Sequence, residues 1–352
     1  MESDGQVVRD EGRCWWGAGL SQPTARRYFK PVFGPWFLVY GCAVDGWPAL
    51  VSYLFAMTQI AFLGLGAIGA PMARHISPPD FSLAVWNRTA SKAAAFASAN
   101  NARHAATPAD AARGASIVIT CLPTSHEVAA LLDGSDGLLA SMGKGTLLVD
   151  CTSGDPATSR STAARLAERG IGFLDAPVSG GVVGAEAGKL TVMVGGDADI
   201  LAGAMPVLNT FGEKIVHVGP VGTGHAVKAI NQAMLAVHIW SLGEGMLALA
   251  KAGVKPEVAL DVINASSGRS NTSMNLFPQR VIGRAFPRTF KLALIDKDVR
   301  IGAQFLREQN VPSPMIQLAA ELFAAAHAEL GEEADHVEAV KVIERTGGAE
   351  IK

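Results

Sequence analysis

Three short stretches of this 352-residue chain carry side chains able to do chemistry on a small molecule. In Gly219-Pro220-Val221-Gly222-Thr223-Gly224-His225-Ala226-Val227-Lys228-Ala229-Ile230-Asn231, Gly224 is the last helix breaker. From His225 to about Ala252 the pattern is helical, so Lys228 and Asn231, three apart, share one face near the helix start. A lysine directed into so small and apolar a region has its charged form disfavoured, which suits a general acid/base near neutral pH. The same spacing also fits a solvated lysine on a helix surface. In Ser179-Gly180-Gly181, two glycines after a serine let backbone N–H groups and a hydroxyl converge on a carboxylate, although such a stretch is also an ordinary loop. The third stretch, Gly64-Leu65-Gly66-Ala67-Ile68-Gly69, follows the strand pattern Ile60–Leu63 and precedes a helix opened by Pro71-Met72-Ala73. There Gly64 allows a tight turn, Gly66 lets the backbone approach a pyrophosphate, and Gly69 packs helix against strand, with the helix N-terminus facing the phosphates.

That context makes the glycine stretch a dinucleotide site rather than a chance turn. The second strand, Ser82–Trp86, ends in Asn87-Arg88-Thr89, about 20 residues past the glycines, where an NAD site presents an acid to the ribose 2′-hydroxyl. No acid stands there. Asn87 can hydrogen-bond the ribose, and Arg88 can pair with a 2′-phosphate, helped by Thr89 or Lys92. NADP(H) is therefore the preferred cofactor, with NAD(H) possible. Two further apolar runs, Ser116–Pro123 and Thr146–Ser153, read as strands buried on both faces. Their C-terminal ends border the ligand crevice of an open parallel sheet, so Leu122, Pro123, Thr152 and Ser153 are candidate cofactor contacts.

These sites require two kinds of scaffold. The strand–helix alternation over 57–220 predicts an α/β Rossmann domain. After it, 221–348 shows apolar residues at three- and four-residue spacing with no alternating strands, which predicts an all-α domain for substrate and oligomerisation. The polar segment Ser266–Thr272, with Arg269, reads as a linker between two of its helices. The long helix from Ala226 carries almost no charge before Glu244, so it is expected to be buried between domains or subunits.

Residues 1–56 do not match the rest: they hold all three tyrosines and Trp15, Trp16, Trp36 and Trp47 of six tryptophans. Their acidic residues argue against a transit peptide, and the Pro31–Val44 run is short of a membrane span. We read them as an atypical leader, disordered or misassigned, with the working protein starting at Met57. A net charge of -2, with 49% apolar and 18% charged residues, excludes wholesale disorder and gives no footprint for nucleic acid. Cys14, Cys42, Cys121 and Cys151 lack metal or disulfide spacing, and Cys121 and Cys151 read as buried fillers in a cytoplasmic, reducing setting. His217, His225 and His238 share no face with acids, and His104, His126 and His336 have no ligand spacing, so no metal is expected.

GLGAIGAPMA, DAPVSGG, GPVGTGHAVKAIN and the later Lys297-Asp298 stand in an order and spacing that resembles the β-hydroxyacid dehydrogenase family, from Met57 to the C-terminus. That family includes 3-hydroxyisobutyrate dehydrogenase and the tartronate, glyoxylate and succinic semialdehyde reductases. The resemblance implies a 6-phosphogluconate dehydrogenase-like fold with the active site between the domains. It also implies hydride transfer between a nicotinamide and a small carboxylate-bearing substrate, and a homodimer or homotetramer. By motif, Lys228 looks like the catalytic lysine, Asn231 like the substrate-polarising asparagine, and Ser179–Gly181 like the carboxylate loop. Lys297 resembles the lysine beside the nicotinamide, with Asp298 its structural partner. Thr152 or Ser153 fills the hydroxyl position beside the nicotinamide, although Asp150-Cys151-Thr152-Ser153 departs from the family's usual run and leaves the choice open. Imine reductases share this architecture but typically lack the lysine. A non-catalytic NADP-binding module is the alternative from another class. A 6-phosphogluconate dehydrogenase would need a longer helical domain.

Overall fold

The computed structural model describes residues 57–352; the leader reading, with Cys14 and Cys42, falls outside the described residues. β1 (Thr58–Leu63), β2 (Phe81–Trp86), β3 (Arg103–His104), β4 (Ile117–Thr120), β5 (Leu147–Asp150) and β6 (Gly172–Asp175) are parallel, in the order β3-β2-β1-β4-β5-β6. Helices α1 (Gly69–Arg74), α2 (Ala90–Ala99), α3 (Pro108–Ala112), α4 (Ser125–Ala130) and α5 (Pro156–Ala167) form the crossovers, which parallel neighbours require. Alternation along β1 sends Ile60 and Phe62 to one apolar core with Met72 and Phe96. Ala61 and Leu63 go to the opposite core with Val128 and Leu138. Burial on both faces explains why these strands read as unbroken apolar runs.

Beyond β6 the sheet continues in a way the sequence reading did not assign. β7 (Val178–Ser179) and β8 (Leu190–Gly195) pair antiparallel, and β9 (Gly212–Gly219) runs parallel to β8, with α6 (Gly181–Glu186) and α7 (Ala198–Phe211) between them. The run Leu190-Thr191-Val192-Met193-Val194 was the available signal, an apolar strand pattern bounded by Lys189 and Gly195-Gly196. A single antiparallel pairing, Asp175 with Gly195, joins β6 to β8.

The remaining chain is helical: α8 (Thr223–Lys251), α9 (Pro256–Asn264), α10 (Leu292–Glu308), α11 (Pro314–Leu330) and α12 (Ala339–Gly347). α10, α11 and α12 all pack on α8, around a core containing Ile239, Phe277, Val299, Phe323 and Val340. By length and composition the 29-residue α8 is apolar enough to cross a membrane, yet it serves as the axis of this bundle. The Ser266–Thr272 linker is shorter than expected. A turn ends by Ser270, and Thr272 opens a π-helix running to Ile282. Pro278 lies inside it and has no N–H to give an α-type ladder, and Phe277 and Val281 bury its inner side. Arg269 is exposed in that turn.

Candidate active site

The glycine turn behaves as its spacing demands. Gly64 has φ +104°, and a Cβ there would stand 2.2 Å from the Cys121 carbonyl oxygen. At Gly69 a Cβ would stand 2.0 Å from the Gly64 carbonyl, so α1 can approach β1 only without a side chain. Gly66 is exposed with open space where its Cβ would be, next to exposed Ala67 and half-buried Ile68. An uncovered backbone at the head of a helix is the shape a pyrophosphate fits, so these residues suit a dinucleotide.

Asn87 has a supporting task. Its Oδ1 accepts from the Leu65 N–H at 3.0 Å and its Nδ2 donates to the Thr89 carbonyl at 3.2 Å, which ties the end of β2 to the glycine turn. Arg88 projects into solvent with 84% of its side chain exposed, and its only ion pair among the described residues is with Glu127 at 3.4 Å. Thr89 is exposed at the start of α2.

At the ends of β4 and β5 the two candidate hydroxyl residues stand in different surroundings. Thr152 is buried, and its Oγ1 accepts from the Leu122 N–H at 3.1 Å while its own N–H donates to Asp150 Oδ1 at 3.0 Å. It therefore fastens β4 to β5. Half-buried Ser153 lies one residue further out, and exposed Pro123 flanks it across the crevice. Lys297 of α10 donates to the Ser153 carbonyl and pairs with Asp298 at 2.9 Å, so its amine already sits at the end of β5. A cavity of about 380 Å³ adjoins it, lined by Ser125 and His126 from α4, Asp155 and Pro156 at α5, and Arg300 and Gln304 from α10. It lies between the starts of α4 and α5 and the outer side of α10.

Lys228 is buried in the second turn of α8, with 8% of its surface exposed and no ion pair among the described residues. Burial pushes its amine below the ordinary lysine range, and Lys297 adds to this, while Asp298 opposes it. Asn231 is exposed, so the shared face is a shared edge: Lys228 on the buried side, Asn231 at the rim. The buried neighbour of Lys228 along the helix is Gln232, four residues on. It accepts from Asn231 Nδ2 at 3.2 Å and donates to Asp298 Oδ2 at 3.1 Å. A chain of polar contacts thus runs Asn231–Gln232–Asp298–Lys297–Ser153. The sequence reading missed Gln232, although its four-residue spacing from Lys228 was a usable signal. Ser179 is half-buried on β7, and Gly180 (φ +137°) and Gly181 (φ +64°) are exposed with positive φ, a backbone that favours glycine.

His225, which shares no helix face with acids, meets two of them in space. Its Nε2 stands 4.0 Å from Asp150 Oδ2, and its backbone N–H donates to Asp175 Oδ2 at 2.9 Å. Both acids come from strand ends far away in sequence, which spacing along one helix cannot register. The two described cysteines are buried or half-buried; burial pushes the Cys121 thiol up to about 12 and Cys151 well above the usual range, so both stay protonated. Among the described residues no group of three or more His, Cys, Asp or Glu converges.

A Rossmann sheet with a phosphate turn, joined to a bundle that carries a buried lysine, defines a nicotinamide-dependent dehydrogenase. Residues 59–219 match the NAD binding domain of 6-phosphogluconate dehydrogenase, and residues 222–343 match the NAD-binding domain of NADP-dependent 3-hydroxyisobutyrate dehydrogenase. The chain is 35% identical over 294 residues to 2-(hydroxymethyl)glutarate dehydrogenase of Eubacterium barkeri, covering 83% of this chain and 97% of that protein. It is 36% identical over 273 residues to an NAD-dependent L-serine dehydrogenase of Pseudomonas aeruginosa, covering 76% and 91%. Mycobacterium tuberculosis 3-hydroxyisobutyrate dehydrogenase, solved with L-serine, superposes with a TM-score of 0.75 at 30% identity, covering 82% of this chain and 99% of that one. The chain belongs to the β-hydroxyacid dehydrogenase family, and it is a dehydrogenase acting on CH–OH groups.

Proposed function

We propose that this protein is an NADP(H)-preferring enzyme interconverting a small β-hydroxyacid and its semialdehyde or keto form, with Lys228 as its acid/base. The observation that carries this reading is Lys228 itself, buried near the start of α8 with no ion pair among the described residues and held below the ordinary lysine range. An amine lowered in this way lies closer to the range a general acid/base works in than an ordinary lysine does. In the reducing direction Lys228 gives its proton to the carbonyl oxygen; in the oxidising direction it takes the hydroxyl proton. When bound, the nicotinamide dinucleotide supplies or accepts the hydride at the same carbon. Ser179, Gly180 and Gly181 hold the substrate carboxylate and so orient that carbon, and Asn231 polarises its oxygen. Gly64–Gly69 hold the pyrophosphate, Arg88 and Thr89 the 2′-phosphate, and Leu122, Pro123, Ser153 and Lys297 border the nicotinamide. Asn87 and Thr152 support that site through the contacts above.

The reading divides labour between residues 57–220, which bind cofactor, and 221–348, which bear the lysine. Exposed Val227 and Met234 on α8 suit burial against a second copy, which supports a homo-oligomer. The test is oxidation of NADPH and NADH by the protein with succinic semialdehyde, glyoxylate, tartronate semialdehyde and methylmalonate semialdehyde, with Lys228→Ala alongside. Turnover that collapses in the variant is the expected result. Equal turnover by wild type and variant would remove the lysine from the reaction.

A further inference from the structure

The start of α8 is wedged between strand ends with little tolerance. A Cβ on Gly224 would stand 2.4 Å from the Met193 carbonyl and 2.6 Å from the Asp175 carbonyl; one on Gly195 would stand 2.6 Å from Asp175 Oδ1. Asp175, fully buried at the end of β6, accepts the Gly222 N–H at 2.7 Å with Oδ1 and the His225 N–H at 2.9 Å with Oδ2. A helix leaves its first N–H groups without internal partners, and this carboxylate takes two of them at the positive end of the helix. His225, also fully buried, continues the attachment. The Ser159 hydroxyl donates to the Asp155 carbonyl at 2.9 Å, so it accepts from His225 Nδ1–H at 2.6 Å. The other ring nitrogen has no hydrogen-bond partner among the described residues and faces Asp150, whose Oδ1 holds Thr120 and Thr152 at the ends of β4 and β5. Lys228 follows His225 by three residues, less than one turn.

We infer that Asp175 and His225 are positioning residues for Lys228: together they seat the first turn of α8 on the ends of β5 and β6 and so set how deeply the amine is buried beside the cofactor-binding strand ends. The inference rests on the lysine reading above for its catalytic consequence, but its geometric content is independent of it. Burial holds the Asp175 carboxyl above the ordinary range, with His225 and the two helix N–H groups opposing. A group kept there against that tendency is under a demand that a surface helix cap does not meet. The ionisable groups around this seat are Asp150, Asp175, His225 and Arg160 of α5, whose Nη1 would stand 3.0 Å from a Cβ on Gly222, with Lys297 and Asp298 of α10 acting on Lys228.

The test measures Lys228 directly in the full chain. Its rate of modification by trinitrobenzenesulfonate is followed by peptide mass mapping across pH, in wild type, Asp175→Asn and His225→Asn. Asparagine at 175 keeps the shape but sets an amide against one of the two N–H donors. Asparagine at 225 keeps a donor for Ser159 and deletes the second ring nitrogen. We expect wild-type Lys228 to label slowly, with a midpoint below that of an ordinary lysine. In both variants the midpoint moves up and the fully deprotonated amine reacts faster. NADPH binding by fluorescence stays within roughly twofold, while kcat falls on the order of 10- to 100-fold, as for a displacement of about 1 Å. An unchanged Lys228 labelling profile in both variants overturns the inference, even if both melt earlier. If Asp175→Asn does not fold, His225→Asn decides by the same criterion. Shifted labelling combined with full activity of Lys228→Ala would uphold the seat and defeat the lysine reading.

Discussion

Replacing Arg88 by alanine lowers kcat/KM for NADPH and leaves that for NADH within about twofold. The size follows from the geometry. Arg88 is largely in solvent and paired with Glu127 at 3.4 Å, an exposed pair worth about 0–1 kcal/mol. A charge-assisted contact to a 2′-phosphate is worth about 1.5–3 kcal/mol. The Glu127 pair must be given up for it, so the net is about 0.5–3 kcal/mol, or roughly 2- to 160-fold. Glu127 provides the matching control. Its Oε2 accepts the Thr124 N–H at 3.0 Å in the cap of α4, while Oε1 faces Arg88. Glu127→Gln keeps an acceptor for the cap and frees Arg88, so it raises NADPH kcat/KM by up to about fivefold. The assay is initial-rate reduction with both cofactors at low and high salt, and added salt erodes the NADPH preference of wild type but not of Arg88→Ala. Equal losses with both cofactors in Arg88→Ala, or a wild type that favours NADH, would refute the reasoning.

Two other outcomes follow from burial. Lys228→Met abolishes turnover yet stabilises the fold. The folded amine binds protons less tightly than the unfolded one, so wild-type stability rises with pH between the folded value and the ordinary 10.5. Below that window the cost of burial is fully present, and methionine relieves it by about 1 kcal/mol or more, a few degrees in Tm. Parallel curves of Tm against pH for the two proteins would contradict this. Cys121 and Cys151, mapped by mass spectrometry after iodoacetamide treatment at pH 8, remain unmodified in the native protein and react in urea. Native-state labelling of either at the rate of a free thiol would show that burial does not govern them.

Much of the fold was legible because its signals are local. A strand buried on both faces needs four consecutive apolar residues, and Ile60–Leu63 supplies them. A turn closing within 2.2 Å of a carbonyl admits only glycine, and Gly64 stands there. The π-helix escaped notice because its winding interrupts the period that the eye follows, and β8 because it lies beyond the six-strand pattern. Within the site, residue types named Lys228, Asn231 and the two glycine turns, but their partners were hidden. Asn87 and Thr152 carry groups able to contact cofactor, yet the structure engages them with Leu65 and Leu122.

The sequence by itself determined β1, β2, β4 and β5, the phosphate turn and the lysine helix, since each depends on contacts between residues close along the chain. Only the tertiary structure decided that Lys228 is buried while Asn231 stays at the rim, and that Gln232 links Asn231 through Asp298 to Lys297. It alone brought Asp150 and Asp175 to His225. The physical reason is that burial and partnership are properties of chain segments meeting in space. The proton affinity of a side chain follows from those meetings rather than from its position in the sequence.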